Sequence, residues 1–200
     1  MKKKVLLLLA NGFETLEASA FMDVMGWNLA EGDGSTQLLS CGLHKEIQSS
    51  FNHRFIVDFT TAEIDVNEFD ALAIPGGFED YGFYIDAYDE RFLAIIQQFH
   101  VQNKPIASIC VGALPLGKSG VLCGRKATTY INNTVRTDAL KGFGANFIGT
   151  PIVVDGSVIT SWNPSTAIDV AFLLLEMLSS PVNAANVRKL MGINQKHSSI

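Results

Sequence analysis

Pro105-Ile106-Ala107-Ser108-Ile109-Cys110-Val111-Gly112 runs an apolar stretch of strand length into a thiol flanked by small residues. Pro105 to Cys110 reads as a strand buried on both faces, and Val111 to Lys118 as a short helix. The small-x-nucleophile-x-small pattern between them is that of a nucleophile elbow. A sharp strand-to-helix turn leaves no room for large side chains two residues before and two after its apex. Ser108 and Gly112 meet that demand. A thiol at such a turn lies at a helix N-terminus, whose free N–H groups favour the thiolate. The sequence therefore predicts that Cys110 is more acidic than an ordinary thiol. The plainer alternative is a small buried cysteine, since free Cys is among the most buried residue types. Cys41 and Cys123 lack this context and read as structural.

Outward from this turn, apolar strand-length runs alternate with helical spacing. Lys4 to Ala10 is a continuous apolar run, followed by a helix over Glu14 to Ala30 with apolar Leu16, Phe21, Val24, Met25 and Leu29. Thr36 to Cys41 is a strand, Glu46 to Asp58 a hairpin, and Asp70 to Ile74 a further apolar strand ended by Pro75-Gly76-Gly77. Asp89 to Val101 is helical, and Lys126 to Tyr130 is a strand candidate. Asn146 to Asp155 and Ser157 to Thr160 bracket an Asp155-Gly156 turn, a hairpin signal. Thr166 to Leu178 and Val182 to Met191 are helical. This alternation predicts an α/β domain over residues 1–200, with a mostly parallel sheet and helices on both faces; Gln195 to Ile200 reads as a frayed tail.

Composition narrows the function classes. With 48% hydrophobic and 18% charged residues, the chain can bury a large core and is not disordered. A formal net charge of −5, with no basic run beyond Lys2-Lys3-Lys4, argues against a nucleic-acid partner. Three cysteines without a CxxC pair argue against a disulfide framework and a structural zinc site, and for reduced thiols in a cytoplasmic protein. The basic start and apolar run imitate a signal peptide, but Val5 to Ala10 falls short of the roughly 7–15 residues of an h-region. No apolar stretch approaches the ~20 residues of a membrane span, so no membrane partner is expected.

In an open α/β sheet, ligands bind beyond the carboxyl ends of the strands. Two further ends qualify. Gly76 and Gly77 let backbone N–H groups approach a ligand, and Gly77 could act beside Val111 as an oxyanion donor; a plain turn is the alternative. Glu17, in the first turn of the first helix, is either an acid-base group or a charge that stabilises the helix end. Glu14 reads as a solvent-facing charge.

Leu9-Ala10-Asn11-Gly12-Phe13-Glu14-Thr15-Leu16-Glu17, then Ala73-Ile74-Pro75-Gly76-Gly77, then Ala107-Ser108-Ile109-Cys110-Val111-Gly112 resemble, in order and spacing, the ThiJ/PfpI superfamily and its parkinsonism-associated deglycase branch. Lys126-Ala127-Thr128-Thr129 and Ile159-Thr160-Ser161-Trp162-Asn163-Pro164 resemble its later motifs. The resemblance spans about residues 4 to 180. It implies a flavodoxin-like, class I glutamine amidotransferase-like three-layer fold, a homodimer, and no cofactor or metal. It implies that Glu17 hydrogen-bonds Cys110 as a protonated acid or shares its proton, and that Cys110 is prone to oxidation to sulfinate.

Departures from the family pattern shape the functional expectation. Val111 and Tyr130 stand where relatives carry a catalytic His, and His44, His53, His100 and His197 match no catalytic position, which argues against a peptidase or amidase. Trp162 and Phe51 stand where arginines are common, and Arg54 lies nearby in a strand. The resemblance thus implies a glyoxalase- or deglycase-like enzyme on a small carbonyl metabolite. Cys110 would be the nucleophile, Glu17 the proton carrier, Gly77 and Val111 the oxyanion donors, and Tyr130 a hydrogen-bond donor in place of His. An oxidative-stress sensor acting through Cys110 is the alternative. Gly76 and the aromatic-rich stretch Phe78-Glu79-Asp80-Tyr81-Gly82-Phe83-Tyr84, with Trp162 and Tyr130, are expected to wall a small apolar cleft, unless the aromatics belong to core or interface.

Overall fold

The computed structural model describes residues 2–193. Its strands are β1 (Lys3–Leu9), β2 (Thr36–Gly42), β3 (Glu46–Gln48), β4 (Arg54–Ile56), β5 (Phe59–Thr60), β6 (Ala71–Ile74), β7 (Ile106–Ser108), β8 (Lys126–Ala127), β9 (Asn146–Phe147), β10 (Ile152–Asp155) and β11 (Val158–Ser161). Its helices are α1 (Thr15–Ala30), α2 (Phe83–Ala87), α3 (Glu90–Val101), α4 (Ala113–Lys118), α5 (Thr134–Gly142), α6 (Ala167–Leu178) and α7 (Pro181–Leu190). The main sheet has the order β10-β11-β7-β6-β1-β2-β5. β10 runs antiparallel to β11 and every other pairing in this sheet is parallel.

The continuous apolar runs are explained by two cores, one on each face. Leu6 and Leu8 of β1 join Leu72, Ile74 and Ile106 with Phe92, Ile96 and Phe99 of α3 and Leu114 of α4. Val5, Leu7 and Leu9 point the other way, into Phe21, Val24 and Met25 of α1 and Val170, Ala171 and Leu174 of α6. Each such side chain contributes roughly 1.5–3 kcal/mol by leaving water, so period-2 alternation separates the two cores rather than core from solvent. The chain leaves β1 through α1 towards β2, whereas β6 leads through α3 towards β7. The order thus reverses between β1 and β6, and a crevice opens at their carboxyl ends.

The expected hairpin over Glu46–Asp58 forms, with Glu46 opposite Ile56. The β10–β11 hairpin turns at Gly156, whose φ is +61°. Other boundaries are corrected. The Asn146–Asp155 run is two strands, β9 and β10, because the chain breaks around Thr150-Pro151. Lys126–Tyr130 is a strand only at Lys126–Ala127, pairing with β9 in a separate two-stranded sheet. Beyond it, the Thr128 amide donates to Thr160 Oγ1 at 2.9 Å and the Thr129 hydroxyl to Cys110 O at 2.9 Å, so these residues are drawn out of a ladder. Helices α2 and α5 are additions. The Gln195–Ile200 tail lies outside the described residues. No helix among the described residues is long and apolar enough to cross a membrane.

Candidate functional site

Cys110 sits at the apex of the turn after β7 with φ +57°, a left-handed conformation that L side chains rarely adopt. Gly112 is required by close approach: a Cβ there would lie 2.9 Å from the carbonyl oxygens of Ile74 and Pro75. The small Ser108 donates its hydroxyl to Ile159 O at 3.4 Å, and Thr129 holds the Cys110 carbonyl. The elbow is therefore fixed on both sides by β6 and β11.

The β1–α1 loop brings Glu17 to the same place. The Asn11 amide and side-chain NH2 both donate to Asp86 Oδ2 at 2.9 Å, and Asn11 Oδ1 accepts from Gln48 N–H at 2.9 Å. A bridge between this loop and the β6 loop is closed by Glu14 N–H donating to Gly76 O (2.8 Å) and Phe78 N–H donating to Gly12 O (2.9 Å), which leaves the Gly77 amide out of the bridge. Glu14 caps α1 by accepting from Leu16 N–H at 3.3 Å.

Glu17 is 0% exposed, and its Oε2 accepts from Gly76 N–H at 2.6 Å. Its Oε1 is buried with no hydrogen-bond partner among the described residues. Burial pushes the carboxyl up from the usual 4.5 to about 8, with a further push from the Glu14 charge; the Gly76 amide and the Cys110 side chain pull the other way without reversing it. A Cβ on Gly76 would lie 2.9 Å from Cys110 Cβ and 3.0 Å from Glu17 Oε2. Only glycine lets thiol and carboxyl close on each other here.

The expectation of an acidified Cys110 is overturned. Burial pushes the thiol well above its usual value, a carboxylate at Glu17 pushes it further, and the Val111 amide, which favours the thiolate, does not compensate. Local sequence reveals the turn but not the enclosure around it. Because Glu17 keeps its proton at neutral pH, the charge that would oppose a thiolate is then absent, and the two groups titrate as a pair.

A cleft of about 330 Å³ opens over this pair. Cys110, Glu17, Gly77, Val111, Phe78 and Tyr130 line it, and Gly76 lies behind them against Cys110 and Glu17. Trp162 does not line it. Its backbone N–H donates to Pro151 O at 3.0 Å, its indole nitrogen is buried without a partner among the described residues, and Pro164 stands in the wall. Glu14 also lines the cleft rather than facing only solvent. Phe51 stacks with Phe78 and Tyr81 in an exposed aromatic group at centroid distances of 5.4 and 5.7 Å, while Arg54 pairs with Glu46 on the surface. No His among the described residues lines the cleft, and no three His, Cys, Asp or Glu side chains among them converge as metal ligands.

Glu79 and Tyr84 line the cleft from the Phe78–Tyr84 stretch, whereas sequence reasoning missed Asn133 and Arg136 in the lining. The last two arrive with α5, which Asn133 caps by accepting from Val135 N–H at 3.0 Å. An Asn just before a helix-compatible stretch was the available signal.

The DJ-1/PfpI family profile matches residues 3–177. A deglycase of Thermococcus kodakarensis is 35% identical over 161 residues, 80% of this chain and 90% of its own length. Deglycase PfpI of Pyrococcus furiosus is 31% identical over the same shares. Among solved structures, Drosophila melanogaster DJ-1beta superposes with a TM-score of 0.84 at 23% identity, covering 97% of this chain and 100% of its own. A ThiJ/PfpI family protein from Pseudomonas syringae gives 0.85 at 21%, covering all of this chain and 78% of its own. These two share the flavodoxin-like fold.

Proposed function

This chain belongs to the DJ-1/PfpI family, and from that premise we propose that it is a deglycase-like enzyme acting on small α-oxoaldehydes and on their adducts with amines. One observation carries the reading: a fully buried Glu17 that holds its proton to about pH 8, coupled to Cys110 at the floor of a cleft. A group that changes protonation near neutral pH is suited to move protons in both directions. Relatives named deglycases support the substrate class.

The thiolate form of Cys110, a minor species in this enclosure, is the one that adds to the aldehyde carbon, and Glu17 gives its proton to the new alkoxide, leaving a hemithioacetal and a carboxylate. An amine adduct reaches the same hemithioacetal when sulfur displaces the amine, which departs with a proton. The N–H groups of Gly77 and Val111 steady the oxyanion, and Tyr130 donates to the second carbonyl oxygen. The Glu17 carboxylate then takes the hydrogen from the sulfur-bearing carbon and returns it to the neighbouring carbon through an enediol. This forms a thioester of a 2-hydroxy acid. Water, deprotonated by Glu17, hydrolyses the thioester and restores thiolate and carboxylic acid. One carbon is oxidised by two electrons and its neighbour reduced by two, so no outside oxidant enters.

The test is methylglyoxal consumption with lactate detection for wild type, Cys110→Ala and Glu17→Gln. Wild-type turnover lost in both variants supports the enzyme, whereas folded wild type with no turnover removes it. The partnerless Glu17 Oε1 also favours a second reading, in which the protonated carboxyl donates to an oxygen of a Cys110 sulfinate formed by peroxide. Mass spectrometry after peroxide titration then finds Cys110 stopping at two added oxygens in wild type, and not in Glu17→Gln.

A further inference from the structure

Three acids, Glu14, Glu17 and Glu79, line the cleft together with one cation, Arg136. The guanidinium is held in place: its side chain is 22% exposed, it lies over the Tyr84 ring at 4.9 Å, and its Nη2 donates to Glu79 Oε2 at 2.5 Å. Glu79 is its only hydrogen-bond partner among the described residues, so most of its five N–H donors are unused. The partner is the loose half of the pair, with its side chain 64% exposed. An exposed carboxylate paired in this way is weakly held and can be exchanged for another. Tyr84, under the guanidinium, lines the same cleft as Arg136 and Cys110.

We propose that Arg136 makes this cleft a reader of carboxylates, so that the carbonyl compound reaching Cys110 is an anionic one, an α-oxoaldehyde whose far end carries a carboxylate. The substrate part of this inference rests on the reading of Cys110 as the nucleophile. The ligand's carboxylate takes the place of Glu79 on the guanidinium fork, a geometry that suits two parallel N–H···O bonds. The exchange replaces one negative charge by another, so the acidic residues Glu14 and Glu79 do not exclude it. The carbonyl end of the ligand is left facing the thiol and the amides of Gly77 and Val111.

Alkylation of Cys110 tests the anion site without relying on turnover. Iodoacetate carries a carboxylate and iodoacetamide is its neutral counterpart; peptide-resolved mass spectrometry gives the rate of each at Cys110. Arg136→Gln is expected to lower the iodoacetate-to-iodoacetamide rate ratio at least fivefold, Arg136→Lys to restore part of it, and Glu79→Gln to raise it. Unchanged ratios across the folded variants overturn the proposal. The substrate arm compares 4,5-dioxopentanoate, an α-oxoaldehyde that carries a carboxylate, with methylglyoxal; the ratio of their kcat/KM values falls at least tenfold in Arg136→Gln if the carboxylate is read. A wild type that turns over neither compound yet shows the Arg136-dependent alkylation ratio keeps the anion site and removes the enzymatic reading. Turnover with an Arg136-independent ratio does the reverse.

Discussion

Glu17 and Gly76 are joined by a 2.6 Å hydrogen bond from the glycine amide to a carboxyl with no exposed surface. The acid is thus placed by backbone from the β6 loop rather than by another side chain. Its protonation is tied to the folded state, since unfolding returns it to water.

That linkage has a sign. In the unfolded chain Glu17 loses its proton near 4.5, while in the fold it keeps it to about 8. Between those values the native state binds more protons, so its contribution to stability falls as pH rises, by a few kcal/mol in order of magnitude across the window. Urea unfolding at pH 5 and pH 8 is expected to show wild type losing stability that Glu17→Gln does not lose. Parallel pH dependence in the two proteins would remove the buried acid from this account.

Gly76→Ala inserts a methyl 2.9 Å from Cys110 Cβ and 3.0 Å from Glu17 Oε2. Forcing them apart costs roughly 1–3 kcal/mol of stability. Turnover is expected to fall at least a hundredfold in protein that remains folded below its lowered Tm. Retention of full activity would mean that thiol and carboxyl need not be in contact.

Glu14 lines the cleft and its charge helps keep Glu17 protonated. Activity that needs the protonated carboxyl declines on the alkaline side of about pH 8. Glu14→Gln removes a neighbouring negative charge, makes Glu17 easier to ionise, and moves that decline to lower pH. A pH–rate profile with an unmoved alkaline limb would separate the two acids.

Tyr130 lines the same cleft as Cys110. If its hydroxyl serves as the donor to the second carbonyl, Tyr130→Phe lowers kcat by ~10²-fold or more. Iodoacetamide labelling of Cys110 should hardly change, because the thiol's own partners are intact. A kcat equal to wild type would leave that oxygen to another donor.

Where burial and turn geometry are local, the sequence was legible. The double-sided apolar run of β1, the small residues flanking Cys110 and the glycines after β6 each encode one structural demand. Three distant loops converge because the sheet order reverses between β1 and β6, so Cys110, Glu17 and Gly77 could be selected together from strand ends and a family pattern. The acidity of Cys110 was misread because enclosure is a property of all those loops at once. Arg136 was missed because α5 is short and polar, with a weak apolar periodicity. Trp162 was misplaced because its own amide pairs with Pro151, beside the β10–β11 hairpin and not at the cleft.

The φ of +57° at Cys110 belongs to the turn and not to sulfur. Any residue at 110 inherits that backbone, which is held by packing around Gly112 and the Thr129 hydrogen bond. A glycine there would relieve the conformation and erase the chemistry in one step, whereas a β-branched residue would oppose the turn itself. The cysteine at this apex thus carries a conformational tension that glycine in the same place would not.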